Sequence, residues 1–164
     1  MDRKEKSEKY KILFVCLGNI CRSPTAEGVM KHYVQQSDLT DRIEIDSAGT
    51  YGGHAGELPD HRMRQHASRR GYNLTSRSRQ VKSSDFEYFD LIIAMDDKNY
   101  QNLRDLAPDL ETQAKVHKMV EFGTQANYDY IPDPYYGGAD GFELVLDLLE
   151  NTCEGLLNDL KKRI

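Results

Sequence analysis

Ile12 to Val15 form an unbroken apolar run, the pattern of a strand buried on both faces, and the run ends in VCLGNICRSP, residues 15–24. Helical spacing follows. Pro24 suits the first turn of a helix, Glu27 complements its positive N-terminal end, and Ala26, Val29, Met30, Tyr33 and Val34 recur on one face. IEIDSAGT (43–50) reads as a second strand, residues 59–70 as a helix stopped by Gly71, and LIIAM (91–95) as the clearest buried strand. The pattern then predicts a helix over 97–106 that ends before Pro108, a fourth strand in KVHKM (115–119) and a loop over 127–138. Phe142, Val145, Leu146, Leu149, Cys153, Leu156, Leu157 and Leu160 stripe one face of a long closing helix.

Strands alternating with helices predict an α/β fold, a parallel sheet covered on both faces with its ligand site beyond the carboxyl ends of the strands. The loop after the first strand sits at such an end. Residues 1–9 are polar and expected to be a flexible N-terminal segment, and 10–164 a single domain; no internal repeat or linker interrupts them.

A formal net charge of −5 argues against a nucleic-acid partner, and the short apolar run, broken at Gly18 and Asn19, is neither a signal peptide nor a membrane span. A cytoplasmic protein without membrane insertion is expected. Three cysteines make no disulfide framework, and Cys16-x4-Cys21 with no second pair or nearby histidine is a poor zinc site, so no metal or other cofactor is expected. Nothing in the pattern indicates an oligomeric state.

The chemistry concentrates in CLGNICRS. With 11 arginines in the chain, a cysteine followed six residues later by an arginine arises by chance roughly one time in five, so Cys16-x5-Arg22 means little alone. Its context means more. A strand before it, Gly18 and Asn19 that tolerate a left-handed backbone, and a helix after Ser23 would turn the N–H groups of Leu17, Gly18, Asn19, Ile20, Cys21 and Arg22 toward one anion. A phosphate would fit there, with Cys16 as a thiolate nucleophile and Arg22 as a two-pronged clamp. The residues leave a plainer reading open: Cys16 as a buried small hydrophobe and Arg22 as a surface cation.

VCLGNICRSP, DSAGT and DPYYG together resemble, in order and separation, the signatures of low-molecular-weight protein tyrosine phosphatases, from about Lys11 into the last helix. The resemblance implies a three-layer α/β/α fold with a central four-stranded parallel sheet and a phosphate-binding loop between its first strand and first helix. It implies hydrolysis of phosphotyrosine in proteins through a phosphocysteine, with Cys16 as nucleophile, Arg22 holding the phosphoryl oxygens and Asp133 as general acid and then base. Ser23 would assist the sulfur as it leaves, or simply cap the helix; Asn19 and Ser47 would hold the loop in shape. Leu17, Ile20 and Tyr135 match pocket walls, and Tyr135 and Tyr136 resemble tyrosines that a tyrosine kinase modifies. The spacing and the likeness also point to Cys21 as the thiol that captures an oxidised Cys16.

Two positions depart from the family pattern. Gly53 stands where relatives often carry an aromatic wall, leaving Tyr51 or His54 to replace it, and Ser76 stands where relatives commonly place a histidine that supports the loop asparagine. Three other functions fit the sequence less well. Arsenate reduction on this fold needs resolving cysteines around 79–90, but no cysteine lies between Cys21 and Cys153. Phosphoarginine hydrolysis resembles loops with threonine at the position of Ile20, whose aliphatic side chain suits a flat aryl ring. A noncatalytic phosphotyrosine-binding module has no need of Cys16, Arg22 and Asp133 together.

Overall fold

The computed structural model describes residues 8–124, 128–134 and 138–164. Four strands, β1 (Tyr10–Cys16), β2 (Ile43–Gly49), β3 (Leu91–Ala94) and β4 (Val116–Lys118), form one all-parallel sheet in the order β2-β1-β3-β4. Central β1 is paired on both edges, Cys16 opposite Gly49 and Val15 opposite Ala94, so its run Ile12–Val15 is fully buried. Such a strand cannot alternate polar and apolar residues, because neither face meets water.

Helices cover both faces. On one lie α1 (Arg22–Gln36), α2 (His61–Arg69) and α6 (Ala139–Lys161), packed on Ile12, Phe14 and Cys16; on the other, Phe86 of α3 (Ser83–Tyr88) and Leu103 of α4 (Asp97–Leu106) pack on Leu13 and Val15. The apolar stripe of α6, Cys153 included, is buried against α1. A short α5 (Leu110–Gln113) precedes β4. The periodic elements match the hydrophobic pattern, whereas α3 and α5, six and four residues long, are too short to show a period.

Three local readings are corrected. The second helix starts at His61, where Asp60 caps it by accepting from the Arg62 and Met63 N–H groups. Glu27 lies beyond the first turn of α1; it is buried, accepting from the Ser47 hydroxyl at 2.5 Å and from Lys31, and does not serve the helix end. Ser23 is not the N-cap: Cys21 holds that place with no side-chain cap bond, and Ser23 lies within the first turn. Of the 127–138 loop, residues 128–134 and 138 are described and carry no regular element. No helix of the described residues is long and apolar enough to cross a membrane.

Candidate active site

The loop from Cys16 to Arg22 turns its carbonyls outward and its N–H groups inward. Its carbonyls have donors: Thr50 N–H on Cys16 at 3.0 Å, Tyr51 N–H on Leu17 at 2.8 Å, the Ser78 hydroxyl on Gly18 at 3.0 Å, Asp60 N–H on Ile20 at 2.7 Å and Thr25 N–H on Cys21 at 3.3 Å. None of the N–H groups of residues 17–22 donates to another group among the described residues. A row of unanswered donors converging at a helix start is a site for an anion. Asn19, at φ 56°, makes the turn that aims them.

A chain of hydrogen bonds holds that turn. The Asn19 amide donates to the hydroxyls of Ser23 at 2.8 Å and Ser47 at 3.0 Å, and its oxygen accepts from the Arg79 N–H at 3.1 Å. The Ser47 hydroxyl donates to the buried Glu27 carboxylate, which leaves its lone pairs for Asn19. Glu27 gave no sequence signal of this role beyond its place on α1. Among the described residues Ser76 makes no such contact; Ser78 and the Arg79 backbone, two and three residues later, carry the support instead.

The last four residues of DSAGT each have a physical reason. Ser47 braces Asn19, the Ala48 carbonyl accepts from Ser23 at 3.3 Å, and Thr50 ties down Cys16. Gly49 lets β2 run against the loop, where a Cβ would stand 2.6 Å from the Leu17 carbonyl oxygen.

Cys16 ends β1 with its sulfur 3.0 Å from the Ser23 hydroxyl and 3.4 Å from the Ser23 N–H. Having accepted from Asn19, the hydroxyl can turn its one proton to the sulfur or to the Ala48 carbonyl, while the Ser23 N–H stands at the sulfur beside it. Arg22 is buried. One nitrogen donates to Asp96 at 2.7 Å and to the Ile131 carbonyl at 3.0 Å; the other stands 3.8 Å from Asp133. Burial opposes the guanidinium charge, but Cys16, Asp96 and Asp133 outweigh it and hold the group above its ordinary pKa.

Asp133 is half-exposed at the pocket edge and is placed by buried Ile131, whose N–H donates to the Met95 carbonyl at 2.8 Å while its carbonyl receives Arg22. Asp96 and Ile131 were missed in the sequence, where nothing distinguishes an acid after an apolar strand or one isoleucine in a loop.

One pocket is lined by Cys16, Leu17, Gly18, Ile20, Cys21, Arg22, Tyr51, His54 and Asp133. The structure thus brings together the expected nucleophile, clamp and acid with the loop around them. Tyr51 fills the space that a side chain at Gly53 would need, its ring 2.2 Å from a Cβ built there, and meets His54 edge to face. Tyr51 and His54, the two side chains expected to replace an aromatic at Gly53, both line the pocket. Cys21 is buried beside the pocket, and burial, then Asp60 and Cys16, push its thiol well above the ordinary value. Tyr135 and Tyr136 lie outside the described residues.

The family model of the low molecular weight phosphotyrosine protein phosphatases matches residues 11–164. The chain belongs to that family. A family member from Streptomyces coelicolor is 41% identical, covering 94% of this chain and 96% of its own length. The crystal structure of a protein tyrosine phosphatase from Entamoeba histolytica, with Hepes in its active site, is 50% identical with a TM-score of 0.91, covering 94% of this chain and 98% of that one. A Drosophila arginine phosphatase is 32% identical with a TM-score of 0.86, covering 92% and 98%. The fold is thus that of the family, with the four-stranded parallel sheet its motifs implied.

Proposed function

We propose that this protein tyrosine phosphatase hydrolyses phosphotyrosine in proteins with Cys16 as nucleophile, Arg22 as clamp and Asp133 as acid and base. The observation that carries the reading is the inward row of N–H groups around Cys16, with every outward carbonyl of the loop answered except that of Asn19 at its turn. The thiolate attacks phosphorus in line, forming an S–P bond as the P–O bond to the phenol breaks, and Asp133 gives the leaving oxygen its proton. A water molecule then attacks the phosphocysteine, Asp133 takes back a proton, phosphate departs and the sulfur leaves as thiolate under the Ser23 hydroxyl. The loop N–H groups and Arg22 face charge on the equatorial oxygens throughout, so stabilisation is in place before reaction begins.

Leu17, Ile20 and Tyr51 form the walls for the aryl ring. Ile20 offers no hydrogen bond to a guanidinium, which supports phosphotyrosine over phosphoarginine. Arsenate reduction is not favoured: Cys153, the only other cysteine, is buried in α6 on the face of the sheet opposite α3 and α4. A tyrosine kinase acting on Tyr135 or Tyr136 would be a regulatory partner. Free buried thiols fit a reducing cytoplasm.

Redox sensitivity follows from Cys16 and Cys21 sharing the loop. Peroxide would oxidise Cys16 to a sulfenic acid, and the Cys21 thiol would displace water to form a disulfide that a dithiol later reduces.

Purified protein should release phosphate from phosphotyrosine peptides and not from phosphoarginine, while Cys16→Ser should bind phosphate without turnover, a hydroxyl being a far weaker nucleophile. Wild-type rates from Cys16→Ser would refute the assignment.

A further inference from the structure

Between Asp60 and Asp85 the chain has no acidic residue but six of its eleven arginines and Lys82, although its net charge is −5. These cations differ in what they meet. Arg70 is held on α6 by Glu143, Asp147 and Glu150, and Arg79 by Asp46 and Asp85. Arg62 lies against Asp60 and over the Phe142 ring. Arg64 and Arg69 have no carboxylate partner among the described residues. Arg64 is steered by its Nε, which donates to the Pro59 carbonyl at 3.0 Å, and Arg69 is exposed.

Both line a groove of roughly 530 Å³ between α2 and residues 72–75, together with His61, Gln65 and Leu74 and without any acidic side chain. The groove begins beside the active site. Asp60, the cap of α2, donates its N–H to the Ile20 carbonyl of the phosphate loop, and Leu74 packs on Gly28 of α1 so closely that a Cβ there would stand 2.4 Å away. From that end α2 rises about 1.5 Å per residue, and an extended peptide covers the length of nine residues in about four of its own.

We propose that this groove docks an acidic segment of the substrate protein next to its phosphotyrosine, Arg64 and Arg69 meeting the flanking Asp or Glu side chains. The proposal rests on the reading that phosphotyrosine sits over Cys16, because the phosphate tethers the segment and makes the second contact intramolecular. A long polyanion has no such tether, and the acidic remainder of the protein repels it.

The test compares wild type with the Arg64→Gln, Arg69→Gln double variant on p-nitrophenyl phosphate, a phosphotyrosine peptide with neutral flanks, and peptides carrying four glutamates before or after the phosphotyrosine. At low salt wild type should favour one acidic peptide by about tenfold in kcat/KM, through KM, and the preference should fade as salt shortens the Debye length below about 5 Å. The double variant should lose that preference and keep wild-type rates on the other two substrates. Arg69→Glu should move the preference to lysine flanks. An unchanged preference, or equal losses on all substrates, overturns the proposal. Amide shifts on α2 and 72–75, induced by an unphosphorylated glutamate-rich peptide and titrated by NMR, read the groove without turnover. If no phosphotyrosine peptide is hydrolysed, the reading of Cys16 fails, and the groove stands or falls on those shifts; shifts caused by single-stranded RNA and not by the peptide also overturn it.

Discussion

Asp96 accepts from Arg22 with one carboxylate oxygen, at 2.7 Å, and caps α4 with the other, which takes the Asn99 N–H at 2.8 Å. A single side chain therefore fixes the phosphate clamp and begins the helix after β3. Because Asp96 follows the buried end of β3, paired with β1 through Val15, the rigid sheet sets the position of Arg22.

Asp96→Ala should release Arg22 from its charged partner and leave the cap of α4 empty. We expect kcat/KM for p-nitrophenyl phosphate to fall at least tenfold and the protein to lose about 1 kcal/mol from the cap alone. Asp96→Asn keeps the shape and can still cap, so it should retain most stability and lose activity. Steady-state kinetics beside thermal unfolding separate the two effects; equal activity in the two variants and wild type would show that Asp96 does not position the clamp.

If Asp133 protonates the leaving oxygen, Asp133→Asn should slow cleavage of phenyl or tyrosyl phosphate strongly, because a phenolate of pKa about 10 leaves poorly without a proton. The first step with p-nitrophenyl phosphate should suffer less, and phosphocysteine should accumulate as its hydrolysis loses the base. Burst and single-turnover kinetics over a series of aryl phosphates measure this. A first-step loss independent of the leaving group would place the acid elsewhere.

Cys21 stays a thiol at neutral pH because burial and the nearby Asp60 disfavour its anion, so peroxide should reach Cys16 first. After brief peroxide treatment and then dithiothreitol, wild type should recover most of its activity and Cys21→Ser should recover several-fold less, its sulfenic acid having passed to irreversible states. Equal recovery would leave Cys21 without a redox role.

Between α2 and α6, Glu143 receives Arg70 at 2.8 Å and pairs with His66, and these two hydrogen bonds hold its carboxyl below the ordinary value. A depressed folded-state pKa stabilises the fold fully above the unfolded value, near 4.5, and that stability is lost as pH falls through the folded value. Glu143 is partly exposed, so its share should be below about 1 kcal/mol. Urea unfolding of wild type and Glu143→Gln should differ at pH 7 and converge once the pH has fallen through the folded-state value; curves that stay parallel would remove Glu143 from the acid sensitivity.

The sequence by itself determined whatever depends on short separations. Buried strands show as unbroken apolar runs, long helices as a repeat near 3.6, and the Cys16–Arg22 loop as seven consecutive residues, because a chain closing around one phosphate must do so locally. Tyr51 and His54, which both line the pocket, were readable as candidates near Gly53. Only tertiary structure decided which distant groups complete the site. Asp96 and Ile131 are 74 and 109 residues from Arg22, and Ser47 is 20 from Glu27. Their meeting depends on the order β2-β1-β3-β4, which sets the ends of β2 and β3 on either side of Cys16. Each bond also depends on burial, where an arginine or serine left without a partner is costly. Hydrophobic periodicity says which face of an element is buried and nothing about which polar group will face it there.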